Sequence, residues 1–550
     1  MKLKEDASTE KLRGGYYTPL SLAKFIVNWG VTNQVSSILE PSCGDGAFLE
    51  ALKKSSGNFE CTAVEVLDSE AEKSEMLVQN DLRFKVINND FYDEYKNHLS
   101  DKTFDLVIGN PPYIRYQYLT EEQREEQSLI MTSNGLAANK LINAWVSFVV
   151  ASVQLLSGNG KVGLVIPAEL LQVKYAEKLR MYLMTHLQKI TIVTFRELVF
   201  PDVQQEVVIL MGEKDTFHEG VHQIKILEFD NIDDLNSNFH PVEERVAFKD
   251  IDMSTTKWTR YFLSKEQNAL INKIKNDRRF VPFVEIGEVD IGITTGNNNF
   301  FSVNKDTVED YDLGDVTLPL IARSVNIPGI TFNEPDWIQN VEAGAKTYLL
   351  DFNNVSEAEM TVGQKKYIAE GEEREEHTGY KCSIRNKWYC VPSIWSPDAF
   401  FLRRNHLYPK FVLNNVPEAV STDTMHRIRF PMFTDRRKAI LSYYNSIGLA
   451  FTELEARSYG GGVLEILPGE LEKVTVPNLE SISIDDELID ELLNKVDVLV
   501  RNNKDIIQVL ELIDQKILIE IMNIPEETVK TFNDIWLTLR SRRLGRKPNL

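Results

Sequence analysis

Between residues 36 and 230, short apolar, β-branched runs alternate with stretches whose apolar positions recur at helical spacing. The runs predict strands at Ser37–Glu40, Cys61–Val66, Phe84–Asn89, Asp105–Gly109, Lys161–Ile166, Lys189–Phe195 and Glu206–Met211. The periodic stretches predict helices at Ala47–Lys54, Ser69–Gln79, Ala144–Leu156 and Glu169–Leu183. Such alternation is the pattern of an α/β, Rossmann-like parallel sheet covered on both faces, with ligands at the carboxyl ends of its strands. After about residue 240 the pattern changes. Residues 280–480 carry short strands and turns rich in Gly, Pro and Asn, including Thr294-Thr295-Gly296-Asn297-Asn298-Asn299. From Asp486 to Ile513, Ile, Leu and Val return to helical spacing. The expected division is an α/β domain over 1–240, a mixed α+β domain over 241–480 and a C-terminal helical segment over 481–550.

Composition narrows the class. The 550 residues are 43% hydrophobic and 26% charged, ordinary values for a globular chain. No apolar stretch approaches the roughly 18 residues a membrane helix needs, and no apolar signal region follows the first charges, so a cytoplasmic protein off the membrane is expected. Cys43, Cys61, Cys382 and Cys390 form no CxxC pair and no disulfide framework, and no metal site is expected.

The net charge of −21 argues against a nucleic-acid partner if it is spread evenly. It is not: residues 381–445 hold eleven Lys and Arg against four acids, a local +7, while 342–380 are −5. Charge alone leaves two readings open, a polyanion site and a mixed solvated surface.

Two constellations carry candidate chemistry. In Ile38-Leu39-Glu40-Pro41-Ser42-Cys43-Gly44-Asp45-Gly46-Ala47-Phe48 a strand runs through a Gly-x-Gly turn into a helix. Glycine there lets the backbone approach a ligand. The next strand ends at Glu65, where a carboxylate can hold two ribose hydroxyls, and the third is followed by Asp90-Phe91, an acceptor for an exocyclic amine beside an aromatic ring. Asp90 also fits a helix N-cap. Together these positions favour an adenosine ligand. The missing third glycine of the dinucleotide fingerprint disfavours NAD.

The second constellation is Asn110-Pro111-Pro112-Tyr113, at the end of the fourth predicted strand. Two prolines remove two N–H donors and stiffen the backbone. The Asn110 side-chain oxygen and the Pro111 carbonyl can then face one NH2 group, drawing its lone pair out of conjugation. Tyr113 offers a surface on which a planar base can stack.

These residues, with Tyr16-Tyr17-Thr18-Pro19, resemble the gamma-class DNA adenine-N6 methyltransferases of restriction–modification systems over roughly the first 215 positions. The resemblance implies the class I methyltransferase fold and S-adenosylmethionine as cofactor. It implies a cofactor set of Tyr17, Thr18, Pro19, Glu40, Pro41, Gly44, Gly46, Glu65, Asp90 and Phe91, with Thr18-Pro19 beside the methionine part. Asn110 to Tyr113 would be catalytic, and Phe200 would pack with Tyr113 on an extruded adenine. Gly292–Phe301, Pro319–Arg323, Gly460–Gly462 and Val474–Pro477 resemble parts of a target-recognition domain. That makes double-stranded DNA the expected partner and Asn297, Arg323, Arg403, Arg404, Arg427 and Arg429 the candidate DNA contacts. A restriction nuclease is expected to be a separate protein. Two alternatives stay open: an enzyme of the same fold acting on RNA bases or protein glutamine, and a catalytically silent DNA-specificity subunit.

Overall fold

The computed structural model describes residues 17–138, 142–200, 206–216, 220, 222–253 and 257–545. It divides into two compact units, Met1–Ser264 with Gly545–Leu550, and Lys265–Leu544.

The first unit is built on a nine-stranded sheet. Its strands are β1 (Ser37–Glu40), β2 (Glu60–Glu65), β3 (Phe84–Asn88), β4 (Phe104–Gly109), β5 (Leu156–Pro167), β6 (Lys189–Phe195), β7 (Val207–Glu213), β8 (Gln223–Phe229) and β9 (Lys249–Asp250). Their order is β3-β2-β1-β4-β5-β7-β6-β8-β9. Among the described residues, α-helices accompany them at α1 (Leu20–Gly30), α2 (Ala47–Lys53), α3 (Asp68–Val78), α4 (Phe91–Glu94), α5 (Glu121–Ser133), α6 (Ala144–Gln154), α7 (Glu177–His186) and α8 (Ile232–Arg245). Two apolar cores result, one containing Trp145 and Val149 of α6, the other Leu22 and Ile26 of α1. Strand order reverses between β1 and its two neighbours β2 and β4, which opens a crevice at the carboxyl ends of these strands. This is the class I methyltransferase fold.

The sheet departs from the all-parallel expectation at β7, which runs antiparallel to both β5 and β6. A strand buried on both faces has the same apolar composition in either direction, so composition does not encode its sense. The helix expected over Glu169–Leu183 is broken. Short 3-10 turns occupy Ala168–Leu171 and Lys174–Ala176, and the helix runs from Glu177 to His186. The buried Arg180 guanidinium donates to the carbonyls of Leu170 and Val173 at 2.9 and 3.0 Å, satisfying groups a continuous helix would have bonded itself.

The boundary expected at 240 falls inside α8, which packs against β8, so the first unit continues through β9 to Ser264. The segment 481–550 is likewise no separate domain. Asp486–Arg501 and Ile506–Ile513 are two helices, and Glu526–Leu544 packs on Ser446–Glu455 with Phe532 and Phe451 ring centroids 5.6 Å apart. Amphipathic helices of this kind bury their apolar stripes in the core of the second unit. That unit is mixed α+β, with a five-stranded sheet that includes Ala399–Leu402, Phe411–Asn414 and Met425–Arg429.

Candidate functional site

A cavity of ≈ 390 Å³ opens at the carboxyl ends of β1, β2, β3 and β4. Glu40 and Gly44 follow from β1, Glu65 from β2, Asp90 and Phe91 from β3, and Asn110 and Pro112 from β4; Tyr17, Thr18 and Pro41 complete this part of its wall.

The turn after β1 is held by Cys43 N–H donating to the Val64 carbonyl at 2.9 Å. Gly44 has φ +52°, and a side chain placed on it would meet no atom within 4 Å, so only the absence of a Cβ keeps the space in front of it empty. Gly46 does a different job from the one predicted. It has φ +87° at the start of α2, and a Cβ there would come within 2.9 Å of Leu77 on α3, so it serves helix packing and does not line the cavity. Pro19 precedes α1, where its carbonyl accepts from Leu22 and Ala23 N–H, and it too lies outside the lining.

Glu65 is buried and accepts from the N–H groups of Gly44 and Leu67, both at 2.9 Å. Each oxygen keeps lone-pair capacity toward the cavity. Asp90 caps α4: one oxygen accepts from Tyr92 N–H at 2.7 Å and the other from Gln123 Nε2 at 2.6 Å. It is therefore an N-cap and a cavity wall at once. The Phe91 ring is buried against Phe148, centroids 4.6 Å apart. Sequence reasoning missed Gln123, Tyr118, Leu119, Ala144 and Phe148, all of which line the cavity. The Thr120-x-x-Gln123 capping box was the readable signal for one of them.

Among the described lining residues are the carboxyls of Glu40, Asp45, Glu65, Glu70 and Asp90, and no Lys, Arg or His. Glu40 is fully buried. Loss of solvent pushes its carboxyl well above the usual range, and Glu65 and Asp45 push it further. Desolvation also raises Glu65, against the lowering by the Leu67 and Gly44 N–H groups, and raises Asp45. A cavity so lined favours a cationic ligand.

Asn110 follows Gly109, whose φ is +154°, and Ser42 Oγ donates to the Asn110 carbonyl at 3.1 Å. Pro111 and Tyr113 stand beside the cavity and do not line it. The Tyr113 hydroxyl donates to the Val165 carbonyl on β5 at 3.1 Å. Phe200 is buried in the core that contains α1 and is also outside the lining.

In the second unit the candidate DNA contacts separate. The Arg427 side chain is 3% exposed, pairs with Asp290 at 2.8 Å, donates to the carbonyls of Ile291 and Ser393, and lies over the Trp395 ring. It is a structural residue, contrary to the sequence-based expectation. Arg403 and Arg404 both pair with Glu465, at 3.0 and 3.1 Å. Asn297 caps the short helix Asn298–Phe301, accepting from Asn299 N–H, and donates to Glu376. Arg323 and Arg429 are exposed, Arg429 with its guanidinium over Trp395. Arg404 keeps its side chain 69% exposed despite its pair, and the net charge of +7 over 381–445 is offset in part by Asp290 and Glu465 from outside that segment. Among the described residues, no cluster of three or more His, Cys, Asp or Glu side chains is placed to hold a metal ion, and no helix is long and apolar enough to cross a membrane.

The Eco57I restriction-modification methylase family matches residues 38–200, and the family of the C-terminal domain of the Type II methyltransferase M.Eco57I matches residues 255–518. The chain is 24% identical to the Type II methyltransferase M.AccI of Acinetobacter calcoaceticus, over 91% of this chain and 92% of that one. It is 27% identical to M.HindII of Haemophilus influenzae, over 56% of this chain and 58% of that one. Among solved structures, the type IIG restriction endonuclease BpuSI matches 97% of this chain and 66% of its own at 14% identity and a TM-score of 0.41. Two models belonging to one methylase architecture thus match the two halves of the sequence, and the chain is similar to Type II restriction–modification DNA methyltransferases.

Proposed function

We propose that the protein transfers a methyl group from S-adenosylmethionine to the N6 amine of an adenine rotated out of duplex DNA. One observation carries the reading: Asn110 and Pro112 of the Asn-Pro-Pro-Tyr segment line the same cavity as Glu40, Glu65 and Asp90.

The cavity fits the cofactor. It is anionic where the cofactor carries positive charge, and it is open in front of Gly44. Glu65 would hold the ribose hydroxyls, Asp90 and Phe91 the adenine, and Thr18 the methionine end. When bound, the cofactor supplies an electrophilic methyl group.

The chain's own residues do the rest. The Asn110 amide oxygen and the Pro111 carbonyl accept hydrogen bonds from the two N–H bonds of the target amine and hold its lone pair out of the ring. Asn110 takes no proton, so the surplus proton of the methylated amine leaves to water. Tyr113 and Phe200 would hold the faces of the extruded base. Extrusion costs a few kcal/mol, which interactions with the bound base must offset. Most of the acceleration comes from placing amine and methyl group on one line. The second unit reads the target sequence, and a separate restriction endonuclease is the partner.

The test is long-read detection of modified bases in DNA from cells expressing this chain alone, with Asn110→Ala as control. N6-methyladenine confined to one short motif is the expected result. Unmodified DNA, or methylated cytosine, overturns the reading.

A further inference from the structure

Glu40 is the least explained polar group in the cavity wall. Its side chain is fully buried and lines the cavity, and neither carboxyl oxygen has a hydrogen-bond partner among the described residues. Buried carboxyls are almost always bonded, and an orphaned one marks a place where a ligand completes the structure. It sits against the turn that leads to Asn110: a Cβ on Gly109 would stand 3.8 Å from Glu40 Cγ.

The surrounding charges define what Glu40 can tolerate. Cys43 and Asp45 face it from the turn after β1, and Cys61 and Glu65 from β2; Glu70 and Lys73 on α3 act on Asp45, and Glu70 and Asp90 line the same cavity. The one cation in this set, Lys73, is more than half exposed and is held by Glu70 at 2.7 Å. Nothing in the described wall compensates an ionised Glu40. A buried anion without a partner takes up a proton. A cation brought into the cavity reverses that preference.

We propose that Glu40 is the residue by which this cavity distinguishes the sulfonium cofactor from its thioether product, ionising when the cation is present and taking its proton back when the methyl group has left. This rests on the reading of the cavity as the S-adenosylmethionine site. The proton balance closes. Glu40 gives one proton to solvent on cofactor binding. Methyl transfer removes the positive charge from the sulfur, and the methylated amine releases its own surplus proton. Glu40 then regains one proton from solvent. The product keeps the ammonium and carboxylate of the cofactor but has lost the sulfonium charge, and leaves the cavity more readily than the cofactor does.

The experiment is titration calorimetry of the full-length wild-type chain with S-adenosylmethionine and, separately, S-adenosylhomocysteine. Buffers of low and high ionisation enthalpy, used between about pH 5.5 and 8, count the protons exchanged. Close to one proton should be released with the sulfonium compound and clearly fewer with the thioether. One linked proton makes the affinity for the former rise about tenfold per pH unit below the carboxyl's free-state pKa. Glu40→Gln should abolish the difference in proton count and flatten the pH dependence.

Equal proton counts for the two ligands, or an unchanged count in Glu40→Gln, overturn the proposal. If that variant does not fold, the comparison of the two ligands on wild-type protein decides alone. Failure of folded wild-type protein to bind either ligand overturns the functional reading and this inference with it. That result is distinct from binding without proton exchange, which overturns only the inference.

Discussion

Glu40 in the first unit and Asp514 in the second are both carboxyls taken out of water, and their surroundings differ. Asp514 accepts from Ser446 N–H at 2.9 Å and from Ser446 Oγ at 2.5 Å, so it is bonded at the start of the helix Ser446–Glu455. Glu40 has no such partner and faces a cavity. The arginines of the second unit follow Asp514: Arg427 is enclosed by Asp290, two backbone carbonyls and Trp395, and Arg543 pairs with Glu453 at 2.6 Å in the core. A buried charge whose partners are all supplied by the chain is architecture. One left incomplete is where chemistry from outside can enter.

The sharpest break of this comparison is Asn110→Ala. It should lower methyl transfer by a factor on the order of 10² or more while leaving cofactor affinity within a few-fold, as misplacement of a reacting group predicts. Incorporation of labelled methyl groups into DNA, read beside calorimetry, checks both halves. Arg427→Ala should cost about 1–3 kcal/mol of stability, because it leaves the carbonyls of Ile291 and Ser393 without their guanidinium donor while the exposed Asp290 stays solvated, measured by urea unfolding. An unchanged midpoint would return Arg427 to the DNA surface. Glu65→Ala should weaken S-adenosylmethionine binding by about 1.5–3 kcal/mol for each charge-assisted bond removed, in the same calorimeter.

Asp514 supplies a pH test. Burial raises its pKa to about 6, against the lowering by Ser446. Its folded-state value lies above its unfolded one, so its contribution is full below the unfolded pKa and disappears as pH rises toward and through about 6. Asp514→Asn should flatten stability over that window in pH-dependent melting curves. The smallest effects are expected at Arg323 and Arg429. Alanine there should leave stability within about 0.5 kcal/mol and lower the salt slope of DNA binding by about one unit for each phosphate no longer neutralised.

The sequence exposed the cavity better than the surface. Strands β1 and β6 fall where their apolar runs end, and Glu40, Glu65, Asp90 and Asn110 meet because parallel strands bring their carboxyl ends to one edge. That convergence is topological and needs no knowledge of side-chain packing. Strands β8 and β9 escaped notice, because Gln223–Phe229 alternates Lys and Glu with Ile and Leu and β9 has only two residues. The exposed charge of an arginine depends on acids far away in sequence, as Asp290 does for Arg427, and a local count cannot register them. Gly46 and Gly44 read alike in one motif, yet one packs against α3 and the other opens the cavity.

The antiparallel strand β7 has a consequence for synthesis. It lies between β5 and β6, both of which precede it in the chain, and neither bonds to the other. In the sheet β7 fills a slot about 9–10 Å wide between them, twice the usual interstrand spacing. In the finished sheet Val162, Leu164, Val165 and Ile166 on one side and Ile190, Ile192 and Val193 on the other are fully buried. A nascent or proteolysed fragment ending between Phe195 and Val207 therefore presents two long apolar edges to one slot. It should fill that slot with a strand borrowed from another molecule, which makes this stretch the point where premature termination turns into aggregation.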